Sequence, residues 1–215
     1  MQKTSENLIL YILLVKLSCN GRQTMSTIHI KQAKQADYSG ILRLQSANRL
    51  EQLSEEEKKQ GFVASNFTLE VLDTINKALG ILIAVSDDEV VGFVCMCPPE
   101  KLANHPVIQT MLSIFPQQQF NGKPLNQQRV FIYGPVCIDR NQRGQGILKK
   151  LFSGVNDFVQ LHYDVGVAFI NENNPHSLSA HVQGLKMTAL TDFDCEEERY
   201  QLIAFAPDKS ITYAC

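Results

Sequence analysis

The sequence predicts an α+β fold around one hydrophobic core, and three observations carry that prediction. In Val130 to Leu151 (VFIYGPVCIDRNQRGQGILKKL) an apolar β-type run passes through a basic, glycine-punctuated turn directly into an amphipathic helix pattern. Val90 to Met96 is apolar on both faces, as expected of a central strand covered on two sides. Strand and helix patterns follow one another over residues 27 to 207, without repeats or low-complexity stretches.

Each element has a local reason. Thr27 to Ala33 (TIHIKQA) alternates polar and apolar residues like a half-buried strand. Asp37 is placed to cap a helix running to about Leu50, with Ile41 and Leu44 on a shared face. Ser54-Glu55-Glu56-Glu57 has capping-box spacing and opens a short second helix, and another helix fits Leu69 to Ala78. Gly80 to Val85 and Val90 to Cys97 read as strands joined by an Asp87-Asp88 turn, and Pro98-Pro99 ends the second. Residues 100–128, punctuated by His105-Pro106 and Phe115-Pro116, read as a less regular insertion. Val165 to Ile170 reads as a buried strand. Met187 to Phe193 and Tyr200 to Phe205 close the sheet around an acidic turn.

A chain of 215 residues is long enough to bury a sizeable core as one domain. Its net charge of −2 argues against a dedicated nucleic-acid binder. The cysteines (Cys19, Cys95, Cys97, Cys137, Cys195 and Cys215) are scattered, without a C-x-x-C pair, so no zinc site or other metal site is expected. Cys95 and Cys97 share one face of a strand and read as buried free thiols of a cytoplasmic protein. Leu8 to Val15 is apolar but too short to span a bilayer, so no membrane association is expected. Residues 1–24 read as an extension ahead of a start at Met25, with 25–215 as a single domain; a genuine N-terminal helix is the alternative.

Function is written in the turn itself. Arg143, Gly144, Gln145, Gly146, Ile147 and Leu148 place successive backbone N–H groups at a helix N-terminus, where the helix dipole favours negative charge. The pattern predicts a phosphorylated small molecule as ligand. It is not a Walker loop, because Ile147 stands where Lys would follow the second glycine. Nor is it the dinucleotide fingerprint, because Lys149 stands where the third glycine would be.

The stretch resembles motif A of the GNAT superfamily of acetyl-CoA-dependent N-acetyltransferases, Q/R-x-x-G-x-G/A after a strand. Arg143 fills the first position and Gly146 the fourth, while Leu148 replaces the final Gly or Ala and brings a side chain close to the pyrophosphate position. About 30 residues on, Asn174-Pro175-His176-Ser177-Leu178-Ser179-Ala180-His181 resembles motif B, N-x-x-[AS]-x-x-x-Y. Asn174 and Ser177 match, and His181 stands in place of Tyr.

The resemblance implies an α/β/α sandwich with a mixed, largely antiparallel twisted sheet of six to seven strands flanked by helices. It implies acetyl-CoA as acyl-donor substrate and a primary amine of a small molecule or peptide as acceptor, attacked directly on the thioester. Val136, Cys137 and Ile138 are then expected beside the pantetheine, with Asn174 either bonding it or capping the helix, and Ser177 nearby. His181 is either a proton donor to the departing thiolate or a packing residue. Glu172, Tyr133 and Asp139 are the candidates for general base, Glu172 foremost. Homodimers are common in that family, which extends the expectation to this chain by analogy. Two other functions compete: a non-catalytic acyl-CoA-binding or sensing module, and a nucleotide-binding α/β protein of another family.

Overall fold

The computed structural model describes residues 27–102 and 104–207. Leu8 to Val15, Cys19, Met25 and Cys215 lie outside the described residues. Seven strands form one sheet: β1 (His29–Gln32), β2 (Gly80–Ser86), β3 (Glu89–Cys97), β4 (Val130–Ile138), β5 (Val165–Asn171), β6 (Thr188–Cys195) and β7 (Glu198–Phe205). Their order is β1-β2-β3-β4-β5-β7-β6. Every neighbouring pair is antiparallel except β4 and β5, which are parallel. The helices are α1 (Tyr38–Ser46), α2 (Glu55–Lys58), α3 (Leu69–Ala78), α4 (Pro106–Ile114), α5 (Ile147–Val159) and α6 (Pro175–Ser179). This is the mixed, largely antiparallel sheet flanked by helices that the sequence leads one to expect.

Alternation along β3 explains the layers. Val94 and Met96 join a core with Ile147, Leu151, Val155 and Val159 of α5. Phe93, Cys95 and Cys97 point the other way, into a core with Tyr38, Ile41 and Leu44 of α1 and Leu72 and Ile75 of α3. Helix α4 extends that second layer, packing Val107, Ile108 and Met111 on Val165, Val167, Leu202 and Ala204. The four described cysteines are free and buried.

Turn chemistry follows the sequence closely. Asp87 and Asp88 both take positive φ between β2 and β3, the backbone that a tight hairpin needs. Ser54 and Glu57 close the expected capping box. Two boundaries differ. The Asp37 carboxylate accepts from the Lys34 backbone N–H at 2.8 Å, closing the 3-10 turn ahead of α1 and leaving the helix without a side-chain cap. Helix α1 also stops at Ser46, because the chain turns to bury Asn48, whose Nδ2 donates to Leu44 O at 2.9 Å. The 100–128 insertion is more regular than its composition suggests, with Pro106 opening α4 and a small hairpin turning at Asn121-Gly122.

Gly166 marks where sheet and core leave no room. A Cβ there would lie 2.8 Å from Phe131 Cζ and closer still to the Phe205 ring. Those rings meet edge-to-face at 5.8 Å. Gly166→Ala is expected to destabilise the fold by about 1–3 kcal/mol, since overpacking forces both rings off their positions. A thermal melt unchanged from the parent would show that the rings yield freely.

Candidate active site

The site is made by a split in the sheet. Strands β4 and β5 pair only at Val130–Val165, Phe131–Gly166 and Ile132–Val167. Beyond that, β4 stays with β3 and β5 stays with β7, so the two halves of the sheet part. A bulge helps β4 turn away: Gly134 and Pro135 together oppose Cys95, and Gly134 takes φ of 116°. Pro135 has no N–H to donate, and it sits where the far edge of β4 has lost its strand partner.

Two cavities open on this split. The first, of about 460 Å³, is lined by Val136, Cys137 and Ile138 of β4 and by the glycine turn. Gly144 and Gly146 adopt φ of 78° and 77°, and a Cβ on either would meet nothing within 4 Å. The turn is therefore left-handed and open toward the cavity. The first backbone bond into α5 is Lys150 N–H to Gly146 O, at 3.1 Å. The amides of Gly146, Ile147, Leu148 and Lys149, which precede it, have no intrahelical acceptor. Arg143, Gly144, Gly146, Ile147, Leu148 and Ser177 all line this cavity, and Leu148 projects into it half-buried. Gln145 does not; its amide donates to Gln142 Oε1 at 3.1 Å.

Arg143 is a brace for this loop. Its guanidinium donates to Ile138 O (3.3 Å), Gln60 O (2.6 Å) and Asn48 Oδ1 (3.0 Å). It thus ties the turn to the segment after α2, and Arg140 adds an ion pair to Glu57 and a bond to Ala47 O. Asn174 does likewise from the other side: its Oδ1 caps α6 through Ser177 N–H, and its Nδ2 donates to Phe62 O. Of its two expected roles, capping is the one the geometry fills, because its amide is engaged within the chain.

The second cavity, of about 370 Å³, lies on the other side of Val136, between Ile132 to Val136 on β4 and Ala168 to Asn171 on β5. Phe62, Val63, Val136, Ser177 and His181 line both cavities and form their junction. The resemblance assigns the grip on the acceptor to roughly Asn48 to Phe62 and residues 100–128; Phe62 lines both cavities, and Gly61 beside it turns the chain at φ of 92°.

His181 is buried at that junction, in a π-helical turn over Ala180–Gly184. Its Nδ1 lies 2.7 Å from Ser177 O. A carbonyl can only accept, so Nδ1 carries the proton and Nε2 keeps its lone pair in the neutral ring. Burial pulls its pKa below the ordinary value of 6.5, partly offset by the Ser177 bond. The imidazole is therefore neutral at neutral pH, which does not suit a standing acid.

The other candidates for general base differ in position, and Tyr133 alone of them lines a cavity, the second. Tyr133 has a fully buried hydroxyl without a partner among the described residues, and burial raises its pKa far above the ordinary range. Asp139 caps the 3-10 turn at Arg140–Gln142 and lines neither cavity. Glu172 is exposed in the β5–α6 turn and lines neither cavity; its neighbour Asn171 faces the second one instead. Burial pushes the Cys137 thiol up to about 12 and the Cys97 thiol up to about 11, so neither offers a thiolate nucleophile.

No family model and no curated protein matches the sequence. Solved structures do match. An N-acetyltransferase from Staphylococcus aureus Mu50 is similar at 16% identity and TM-score 0.56, covering 85% of this chain and 100% of that one. An acetyltransferase from Salmonella typhimurium, solved with acetyl-CoA, is similar at 15% identity and TM-score 0.54, covering 88% of this chain and 100% of that one. A ribosomal-protein-alanine N-acetyltransferase from Brucella melitensis is similar at 17% identity and TM-score 0.54, covering 83% and 99%. The fold is that of the GNAT acetyltransferases.

Proposed function

We propose that the protein is an N-acetyltransferase that moves the acetyl group of acetyl-CoA to a primary amine of a small molecule or peptide. The observation that supports it most is the meeting of two cavities at His181 across the β4–β5 split. The first has the amides and positive helix end that a pyrophosphate needs, with Lys149 on its wall. The second gives an acceptor its own entrance.

In this reading the pantetheine lies along Val136, Cys137 and Ile138, whose edge toward β5 is free to bond its amides. The amine lone pair forms the N–C bond, and the carbonyl electrons move to oxygen, where a β4 backbone N–H stabilises the charge. His181 Nε2 takes a proton from the resulting ammonium. The oxyanion collapses, the C–S bond breaks, and the thiolate receives that proton from the imidazolium, restoring the neutral ring. A positioned proton carrier and a preorganised donor account for the chemistry without a covalent acyl-enzyme.

Calorimetric titration of the full chain with acetyl-CoA, ATP and NADH tests the donor, and amine-dependent CoA release tests the transfer. Binding of acetyl-CoA near one equivalent, with release that requires an amine, is the expected result. Binding without release under any amine would leave an acyl-CoA-binding module, and preference for ATP or NADH would replace the donor altogether.

A further inference from the structure

The second cavity has a wall of unusual chemistry. Phe67, Val71, Ile75, Ile108, Phe169 and Tyr200 are among its apolar and aromatic lining, and none of the described residues that line it is Asp, Glu, Lys or Arg. Its ionisable side chains are two histidines, two buried thiols and two tyrosines. The contrast with the first cavity, which carries Arg143 and Lys149, is complete.

No carboxylate lines this wall for a polycation to pair with; Glu198 stands behind it, where it accepts from Asn171 Nδ2 at 2.7 Å. Moving an ammonium into such a site is costly, and each further charge adds to that cost. A single amine fares differently. Desolvation there favours its neutral form, which is also the nucleophile. An apolar body of moderate size then gains by burial against the aromatic rings, of which Phe169 and Tyr200 already meet edge-to-face at 5.8 Å. The volume of about 370 Å³ suits a small molecule.

We propose that the acceptor is an apolar monoamine, and that the site excludes polyamines and lysine-rich peptides; this rests on the transferase reading above. The carrier of the amine is selected by a charge-free pocket, and the reacting nitrogen is presented to the thioester at the His181 junction.

The test compares 2-phenylethylamine with spermidine and lysine amide, on the full chain, by two readouts. Direct binding to the protein–CoA complex is measured by calorimetry, and CoA release is measured with acetyl-CoA. The expected result is at least about 100-fold tighter binding of 2-phenylethylamine, with kcat/KM following the same order. Equal or stronger binding of spermidine or lysine amide, or no binding of 2-phenylethylamine, overturns the proposal. CoA release absent with every amine would instead sink the transferase reading, while the binding comparison still decides the pocket's preference.

A variant adds a second arm. Val71 lies in the first turn of α3, is 37% exposed, and donates its N–H to Thr68 Oγ1. Val71→Glu therefore places a carboxylate at the cavity wall in a position that also completes a capping box, so the fold tolerates it. Spermidine binding is expected to improve by about 10-fold in V71E. If spermidine binding does not move, the wall's lack of charge is not what sets the preference.

Discussion

Gly146→Val is expected to weaken acetyl-CoA binding by at least about 100-fold while the protein stays folded. Gly146 caps α5 at φ of 77° and ψ of 9°. A β-branched residue in that left-handed region costs about 1–2 kcal/mol in backbone strain, which a domain of this size survives. The larger effect is steric. Gly146 lines the first cavity and nothing in the protein stands within 4 Å of a Cβ there, so a new side chain has open space at the cradle, beside the amides that would face pyrophosphate. Gly122 provides the control. It has the same φ of 77° and the same open surroundings, but sits in the small hairpin after α4. Gly122→Val carries the matching strain and is expected to leave acetyl-CoA affinity unchanged. Isothermal titration of both variants separates strain from occlusion. Acetyl-CoA affinity retained in G146V would place the phosphates elsewhere.

The same turn shows why this region was legible in the sequence. A strand that runs into glycines and then an amphipathic helix encodes its geometry locally, and Gly144 and Gly146 take the backbone that only glycine adopts cheaply. The motif B cap is equally local, through Asn174 and Ser177 N–H three residues on. What could not be read locally is the opposite wall. Arg143 bonds Asn48 across 95 residues and Gln60 across 83, and Asn174 reaches Phe62 across 112. No spacing rule reports contacts at such separations.

The sheet split was half-visible. Pro135 inside a central strand breaks a ladder, and the broken ladder is the opening. A smooth apolar run from Val130 to Ile138 concealed it. Glu172 follows β5 in sequence, but it lies in the turn beyond the strand and is exposed, while Asn171 at the strand's end lines the cavity.

His181→Gln is expected to lower kcat by about 10²–10⁴-fold, with acetyl-CoA affinity within a few-fold of the parent. Glutamine keeps a neutral polar side chain but cannot take a proton from an ammonium. The pH profile tells a base from an acid. Desolvation lowers the folded pKa of His181 below 6.5, so kcat of the parent should carry an acidic limb beneath that value, separate from the rise that deprotonation of the free amine gives kcat/KM at higher pH. The H181Q variant should lack that limb. A standing acid would give the opposite sign, with activity lost as pH rises through the histidine pKa. Stability carries an independent signature. Because the folded state holds the histidine proton less tightly than the unfolded state, this contribution is undiminished above about pH 6.5 and erodes on acidification through that value toward the lower folded pKa. Thermal melts of the parent should therefore lose ground to H181Q below pH 6.5. The Ser177 carbonyl, 2.7 Å from Nδ1, fixes which nitrogen takes part, so mutating Ser177 to Ala, which keeps that carbonyl, should leave the limb in place. If H181Q retains both the parent kcat and the acidic limb, His181 only packs against Tyr133, and the proton leaves by water.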